Sequence, residues 1–188
     1  TATDGSGNQS TCTFTVNKLD DTPPVITCPA TQTLALGAGC SAALPNYTSL
    51  ANKTDNCTPA GSITVTQSPA AGTSQTGTGP LTVTLTATDL AGNQSSCTFT
   101  VNKADNTPPT ITCPATQTLP LGSSCTATLP DYTGLATKSD NCSASGSITV
   151  TQSPAVGITQ SGAGSLTVTL TATDGSGNQS TCTFTVNK

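Results

Sequence analysis

The stretch that decides the fold is residues 81–103, LTVTLTATDLAGNQSSCTFTVNK, which recurs along the chain. In its first half apolar residues alternate with threonines, and this period of two predicts a half-buried β-strand. Residues 89–93, DLAGN, supply the Asp, Gly and Asn that are typical of turns. In the second half Cys97, Phe99 and Val101 share one face of another strand. The stretch therefore predicts a β-hairpin that points a cysteine inward, beside the only Phe of its repeat.

The chain is built from copies of one unit, and the two full copies have the same length. The hairpin returns at residues 166–188, and residues 1–18 are identical to residues 171–188. We therefore divide the chain into the C-terminal hairpin of a preceding repeat (1–18) and two full repeats (19–103 and 104–188). A unit of this length is as large as a small domain and exceeds solenoid repeats of about 20–50 residues, so each is predicted to have its own core.

Cysteines are expected to compensate for a thin hydrophobic core. Each full repeat contains one Tyr and one Phe, and the chain has no Trp or Met. Domains with so little apolar surface commonly need covalent crosslinks. The cysteines of the first full repeat stand at positions 28, 40, 57 and 97, without a CxxC pair or a His, so disulfides are favoured over a zinc site. Disulfides in turn indicate an oxidising compartment.

Composition argues against several classes of function. The acidic residues are all Asp, the basic residues are all Lys, and the net charge is −4, so nucleic acid is not expected as a partner. No apolar run approaches the roughly 20 residues of a membrane-spanning helix, so membrane insertion is not expected. Without His or Glu, and with oxidised thiols, the chain offers no convincing nucleophile–base pair or pair of catalytic carboxylates. We therefore do not expect an enzyme.

The remaining pattern of each repeat predicts about seven short strands, separated by Gly, Pro and Asn turns and without helical periodicity. This pattern is typical of an antiparallel β-sandwich. The connections LDDTPP (19–24) and ADNTPP (104–109) are short and contain Pro-Pro, which is stiff and extended. We therefore expect an all-β chain of sandwiches joined end to end as a rod.

Three ordered motifs resemble those of the hyalin repeat, or HYR, family. They are DTPPVITCP (21–29), PNYTSLANKTDNC (45–57) and TATDLAGNQSSCTFTV (86–101). The resemblance covers both full repeats and the leading tail. It implies tandem immunoglobulin-like antiparallel β-sandwiches and an extracellular location, secreted or on the cell surface. Because the copies are nearly identical, the chain most resembles giant tandem-repeat surface adhesins of bacteria, so a bacterial source is expected.

The immunoglobulin-like fold that this resemblance implies also predicts how the cysteines pair. Its first and last strands run side by side, so Cys28 and Cys97 both lie near the starts of their strands and both face inward. The other two cysteines of the repeat are then left to each other, although Cys40 and Cys57 lie at opposite poles and the connection between them would have to fold back. An alternative bond, from Cys12 to Cys28, would staple successive repeats. The predicted bonds are Cys28–Cys97, Cys113–Cys182, Cys40–Cys57 and Cys125–Cys142, each worth roughly 2–4 kcal/mol.

The same fold gathers acidic loops at one pole of each repeat. The incoming linker, the loop before the third strand and the turn of the closing hairpin meet there. Hard oxygen ligands from separate loops suit Ca²⁺, which takes six to eight of them, and an ion here would stiffen the junction between repeats. The alternative is that these Asp and Asn side chains only bond to their own turns, with no cofactor required. The candidate ligands are Asp20, Asp21, Asp55, Asp89 and Asn93 at the first junction, and Asp105, Asp140, Asp174 and Asn178 at the second.

These observations favour a stiff, disulfide-stabilised spacer in a large extracellular adhesin or cell-surface filament. The expected partners are neighbouring repeats of the same chain, and other filament chains or a surface ligand are further candidates. Two alternatives stay open. The repeats themselves could bind sugar, ice or a surface protein, although threonine rows are also ordinary on solvent-facing strands. Residues 1–18 could instead complete a neighbouring subunit by donor-strand exchange through the strand expected at residues 11–18.

Overall fold

Two β-sandwiches follow one another along the chain, as the alternating sequence predicts. The structure is a computed structural model that describes residues 1–188. It confirms the all-β, tandem immunoglobulin-like architecture. None of its helical segments is long or apolar enough to cross a bilayer. These segments are five 3₁₀ helices of three residues each: Ala38–Cys40, Thr48–Leu50, Ala60–Ser62, Thr133–Leu135 and Ser145–Ser147.

Each full repeat contains eight strands. They follow a leading segment that has only β1 (Ala2–Thr3) and β2 (Gln9–Ser10). The first repeat contains β3 (Val25–Thr27), β4 (Gln32–Leu36), β5 (Ser41–Ala43), β6 (Asn52–Thr54), β7 (Thr64–Ser68), β8 (Ser74–Thr76), β9 (Gly79–Thr88) and β10 (Gln94–Asp105). The second repeat contains β11 (Thr110–Thr112), β12 (Gln117–Thr118), β13 (Thr126–Thr128), β14 (Thr137–Ser139), β15 (Thr149–Ser153), β16 (Thr159–Ser161), β17 (Ser165–Thr173) and β18 (Gln179–Asn187).

A four-stranded sheet and two strand pairs form each sandwich. In the first repeat the sheet has the order β4-β10-β9-β7, while β3 pairs with β6 and β5 pairs with β8. The second repeat has the same arrangement, with the sheet β12-β18-β17-β15 and the pairs β11-β14 and β13-β16. The long hairpin that the sequence predicts is β9-β10, in which Cys97 lies opposite Leu85 and Phe99 opposite Val83.

The last strand of the first repeat continues into the linker. β10 lies parallel to β4, and the pairing extends from Val101 opposite Gln32 to Asp105 opposite Leu36. Residues 104 and 105 are therefore linker in the sequence and strand in the structure. Because they belong to a hydrogen-bonded ladder, the sheet of the first repeat sets the direction in which the chain leaves it.

The apolar positions of the hairpin fill a small core. Val83 and Leu85 have no exposed surface, and the same is true of Val101 on the neighbouring strand. The ring of Tyr47 meets Phe99 edge-on, with centroids 5.3 Å apart, a geometry worth about 0.5–1.5 kcal/mol beyond burial. The core of the first repeat consists of only seven buried residues: Leu34, Leu44, Tyr47, Val83, Leu85, Phe99 and Val101.

The leading segment differs from its sequence-based expectation. Residues 1–10 form the small β1-β2 hairpin, but residues 11–18 form no strand, although the same sequence forms β18 at the end of the chain. A strand exists only where a neighbour accepts and donates its backbone hydrogen bonds, and nothing pairs with residues 11–18 here. Phe14 and Val16, which would face a core, are 85 % and 71 % exposed.

Candidate functional site

Carboxylates from three separate segments meet at the upstream pole of each repeat, the end that receives the linker. In each group one oxygen from each of the three carboxylates lies within 4.8 Å of the other two. One carboxylate comes from the linker, one from the loop after β6 or β14, and one from the turn of the closing hairpin. We name Asp20, Asp55 and Asp89 the first aspartate cluster, and Asp105, Asp140 and Asp174 the second aspartate cluster.

The hairpin turn holds one carboxylate of each cluster in place. The backbone N–H of Asn93 donates to Asp89 Oδ1 and its side-chain amide donates to Asp89 Oδ2, both at 2.8 Å. The turn requires the positive φ of +93° that Gly92 adopts without strain. The Asn93 amide also donates to the backbone carbonyl of Asp20 at 3.1 Å, which ties the turn to the linker. Asn178 makes the equivalent contacts in the second repeat.

The loop after β6 holds the second carboxylate. Asp55 Oδ2 accepts hydrogen bonds from the backbone N–H groups of Cys57 and Thr58, at 2.9 and 2.8 Å. The buried Thr58 hydroxyl in turn accepts from the backbone N–H of Leu90, at 3.3 Å, and so connects this loop to the hairpin turn. In the second repeat Asp140 has the same two backbone donors.

Several oxygens of the clusters are buried without a hydrogen-bond donor. They are Asp20 Oδ2, Asp55 Oδ1 and Asp140 Oδ1. Buried charged oxygens are costly unless they are paired or coordinate a metal. Four of the five lysines donate to backbone carbonyls elsewhere instead of pairing with these oxygens: Lys53, Lys103, Lys138 and Lys188.

The donor set fits a calcium ion. Two oxygens that bind Ca²⁺ at 2.3–2.6 Å are at most about 5 Å apart, and the separations within each cluster satisfy this limit. Three carboxylates supply hard oxygen ligands, and backbone carbonyls or water complete the six to eight that the ion takes. The chemistry of both clusters therefore matches Ca²⁺ better than a soft metal, which prefers thiolate or imidazole.

Hydrogen bonds favour the ionised form of the two turn carboxylates, Asp89 and Asp174. Burial opposes the charge of Asp89, but hydrogen bonds from the Asn93 side chain and the turn backbone outweigh it and hold the pKa of this carboxyl below its usual value. The same balance, with Asn178 as the side-chain donor, lowers the pKa of Asp174. Burial, together with the charges of the first aspartate cluster, raises the pKa of the neighbouring Cys57 thiol.

The structure brings most of the predicted ligands together. All six members of the two aspartate clusters were among the nine candidates. Asn93 and Asn178 lie beside the clusters and orient a carboxylate through their amide groups. Asp21 is exposed and lies outside the first cluster.

One disulfide within each repeat joins the two layers of the sandwich. Cys28, directly after β3, is bonded to Cys97 on β10, with a Cα–Cα distance of 5.7 Å. Cys113 and Cys182 form the equivalent bond in the second repeat, also at 5.7 Å. Cys12 is exposed and free, so the alternative bond from Cys12 to Cys28 is not formed.

The third disulfide crosses from one repeat to the next, which corrects the sequence-based pairing. Cys40 is bonded to Cys142, with a Cα–Cα distance of 4.5 Å, and not to Cys57. Cys125 is likewise not bonded to Cys142, and both Cys57 and Cys125 are free and exposed.

The reason for this pairing is the placement of the two loops. The turn that carries Cys40 lies at the downstream pole of its repeat, whereas Cys57 lies beside the aspartate cluster at the upstream pole. When sandwiches are joined in line, the downstream pole of one faces the upstream pole of the next, so Cys40 meets Cys142. The opposite poles of Cys40 and Cys57 were visible in the sequence, and that signal could have predicted a bond between repeats.

The junction therefore combines a linker, an aspartate cluster and a disulfide. Asp105 is the last residue of β10 in the first repeat and also a member of the second aspartate cluster. Asp140 of that cluster accepts a hydrogen bond from the backbone of Cys142, the residue bonded to Cys40. Beside the disulfide, the Asn141 side-chain amide donates to the carbonyl of Gly37 at 3.0 Å.

Fold and junction define the chain as tandem immunoglobulin-like β-sandwich repeats crosslinked by disulfides. The HYR domain family matches twice, over residues 19–103 and 104–188, so the chain belongs to this family. No curated protein sequence matches the chain.

Several solved structures are similar to this chain over most of its length, at low sequence identity. Protocadherin gamma C5 EC1-3 is 14 % identical, with a TM-score of 0.45, over 89 % of this chain and 68 % of that one. The titin I-band fragment I67-I69 is 13 % identical, with a TM-score of 0.40, over 89 % and 66 %. The fibronectin(III)-like modules of CbhA from Clostridium thermocellum are 14 % identical, with a TM-score of 0.31, over 87 % and 93 %.

Proposed function

We propose that these repeats are a stiff extracellular spacer, part of the stalk of a large surface adhesin or filament of a bacterial cell. HYR repeats with three disulfides indicate an extracellular protein, and tandem repeats indicate that neighbouring repeats are partners. A spacer needs no ligand pocket, and its task is to keep a fixed length and direction under load.

The junction is the observation that supports this proposal most directly. Two sandwiches connected by a free linker would move independently. Here the linker begins as strand β10, its Asp105 lies in the aspartate cluster of the next repeat, and Cys40 is bonded across to Cys142. Three separate constraints thus act on one short connection, and together they favour a fixed angle between the repeats.

Small-angle X-ray scattering of the chain tests its stiffness. With strands rising about 3.3 Å per residue, we expect an axial length of roughly 40–50 Å per repeat and a single elongated shape. The matched variant is Cys142→Ser, which opens the junction disulfide while the bonds within each repeat stay intact. We expect a broader distribution of distances for this variant. Scattering from the unaltered chain that requires many bent arrangements would contradict the spacer proposal.

We propose further that both aspartate clusters bind Ca²⁺ and that the ion strengthens the junction. The buried oxygens without donors and the spacing of the carboxylates support a cation here. Asp105 reaches the second cluster from the strand of the preceding repeat, whereas Asp140 and Asp174 belong to the following one. An ion bound by all three would therefore draw the two repeats together.

Thermal unfolding with calcium or with a chelator tests the metal proposal. A ligand that binds only the folded state at 100 times its dissociation constant stabilises by about 2.7 kcal/mol, which corresponds to roughly 10–20 °C for a domain of this size. Asp140→Asn should reduce this shift. The control is Asp131→Asn, because Asp131 is exposed and the first repeat already has Asn46 at the same position. Identical melting curves with calcium and with chelator would contradict calcium binding.

One observation favours donor-strand exchange as a second candidate function. Residues 11–18 repeat the sequence of β18 but leave Phe14 and Val16 exposed, as an unpaired donor strand would. Light scattering of the intact chain, compared with a Phe14→Ser variant, tests this idea. Non-covalent oligomers that disappear in the variant are the expected result, and a monomer in both samples would contradict it.

A further inference from the structure

Each full repeat has one free, exposed cysteine. It lies at the position where the other full repeat has a cysteine of the disulfide between repeats. When the two full repeats are aligned without gaps, Cys57 corresponds to Cys142, and Cys125 corresponds to Cys40. Cys40 and Cys142 are bonded to each other, whereas Cys57 and Cys125 are free. We propose that Cys57 and Cys125 are the two open halves of the same junction, each a covalent docking site for another HYR repeat placed in line.

The loop of Cys125 already has the backbone shape of the bonded state. Cys125 has a φ of 56°, and the bonded Cys40 has a φ of 53°; these are the only two non-glycine residues with positive φ. Such a conformation is uncommon outside glycine and is retained where the surrounding loop enforces it. The loop does so in both repeats, because the N–H of the cysteine donates to the carbonyl of Gly122 or Gly37, at 2.9 and 3.1 Å.

The loop of Cys57 is equally prepared. Its backbone N–H donates to Asp55 Oδ2 at 2.9 Å, and the bonded Cys142 donates to Asp140 at 2.9 Å. The loop that carries the free thiol therefore has the same hydrogen bonds as the loop that carries the disulfide. Formation of the bond requires little rearrangement on either side, which lowers the cost in conformational entropy.

The two groups that form the hydrogen bond beside this disulfide also have exposed counterparts in the other repeat. At the closed junction the amide of Asn141 donates to the carbonyl of Gly37. Asn56 corresponds to Asn141 and is exposed at the upstream pole, whereas Gly122 corresponds to Gly37 and is exposed at the downstream pole. Each pole therefore presents a thiol and one hydrogen-bonding group that match a repeat of the same kind.

Closure of such a junction is an ordinary thiol–disulfide exchange. The two thiols lose their S–H protons and one pair of electrons, and a disulfide oxidant such as oxidised glutathione takes them up and becomes two thiols. Each junction then has two covalent connections, the peptide linker and the disulfide. A break in the linker would leave the repeats joined, which is useful for a chain exposed to proteases and tension.

A chain extended at its C-terminus by a further copy of residues 104–188 tests this proposal. The 188-residue protein has nine cysteines and three disulfides, hence three free thiols. The further copy adds four cysteines. If Cys125 bonds across the new junction, two of the added cysteines form the bond within the new repeat, a third bonds to Cys125, and the fourth is a free thiol in place of Cys125. The count of free thiols therefore stays at three. Thiols are counted by alkylation in denaturant and mass spectrometry, and peptide mapping identifies the bond.

The control variants make the result unambiguous. Cys125→Ser in the extended chain should leave its partner cysteine free and raise the count to four, whereas Ser124→Ala should leave the count at three. A count of five would mean that the new junction stays open, and a count of one would mean pairing within repeats; either result overturns the proposal. The proposal rests on the junction alone, so a flexible chain with three free thiols would refute the spacer and leave the docking site standing.

Discussion

Disulfide connectivity sets how far the chain can be stretched, and single-molecule pulling between Thr1 and Lys188 measures it. Cys28 and Cys97 are 69 residues apart in the sequence, and their disulfide prevents a pulling force from extending the segment between them. Between this bond and the equivalent bond of the second repeat, only the segment from Cys97 to Cys113 is free to extend. At about 3.3–3.6 Å per residue this segment spans roughly 53–58 Å. This is close to the expected length of a folded repeat, so the oxidised chain should hardly lengthen.

Two variants separate the contributions of the two kinds of bond. In Cys97→Ser the force passes through the junction disulfide, along the segment from Cys28 to Cys40 and the segment between Cys113 and Cys142. The contour length should then increase by about 80–90 Å over that of the unaltered chain. In the double variant Cys97→Ser with Cys142→Ser neither bond remains, and the increase should be about 230–250 Å.

The assay is the total contour length in optical tweezers, with reductant as the final control. Reduction should remove every difference among the three chains. An oxidised, unaltered chain that lengthens by as much as is expected for the double variant would refute the reasoning. Equal contour lengths for the single and the double variant would show that the junction disulfide carries no load.

Two further outcomes are expected. Stability should fall as the pH drops below about 4, because hydrogen bonds hold the pKa of Asp89 and Asp174 below their unfolded values; their stabilisation is present above the unfolded pKa and is lost as the pH falls through the folded pKa. Chemical denaturation from pH 7 to pH 2 checks this, and Asn93→Ala should weaken the dependence. Separately, Phe99→Ala should destabilise the first repeat by about 3–5 kcal/mol, since Phe99 fills a core of seven residues against Tyr47. If calorimetry of the Phe99→Ala variant showed an unchanged unfolding temperature for the first repeat, the result would contradict the role of Phe99 in so small a core.

The sequence was sufficient to predict the fold because apolar and polar residues alternate with a period of two. Strict alternation in β9 and β10 places Val83, Leu85 and Phe99 inside, and the turn residues 89–93 mark the hairpin. The convergence of three loops on the aspartate clusters followed from the immunoglobulin-like topology that the family resemblance implies. These features depend on local pattern and on a common topology, both of which one repeat contains.

The junction could not be read in the same way, because it is a property of two repeats. Within one repeat the opposite poles of Cys40 and Cys57 argue against their pairing, but they do not name another partner. Only the orientation of successive sandwiches brings Cys142 to Cys40. The strand expected at residues 11–18 failed for a related reason, since its pairing needs a sheet that the described residues do not provide. The sequence pattern therefore did not predict the interactions between repeats.

Chemical cleavage of the linker tests the central feature, a covalent bond from one repeat to the next. The chain contains no Met, so Thr107→Met creates a single site for cyanogen bromide in an exposed part of the linker. The Cys40–Cys142 bond is the only disulfide that spans this position. We expect the two fragments to stay together on a non-reducing gel and to separate after reduction, and to separate without reduction when Cys142→Ser is added. Fragments that separate without reductant in the Thr107→Met chain itself would contradict the account.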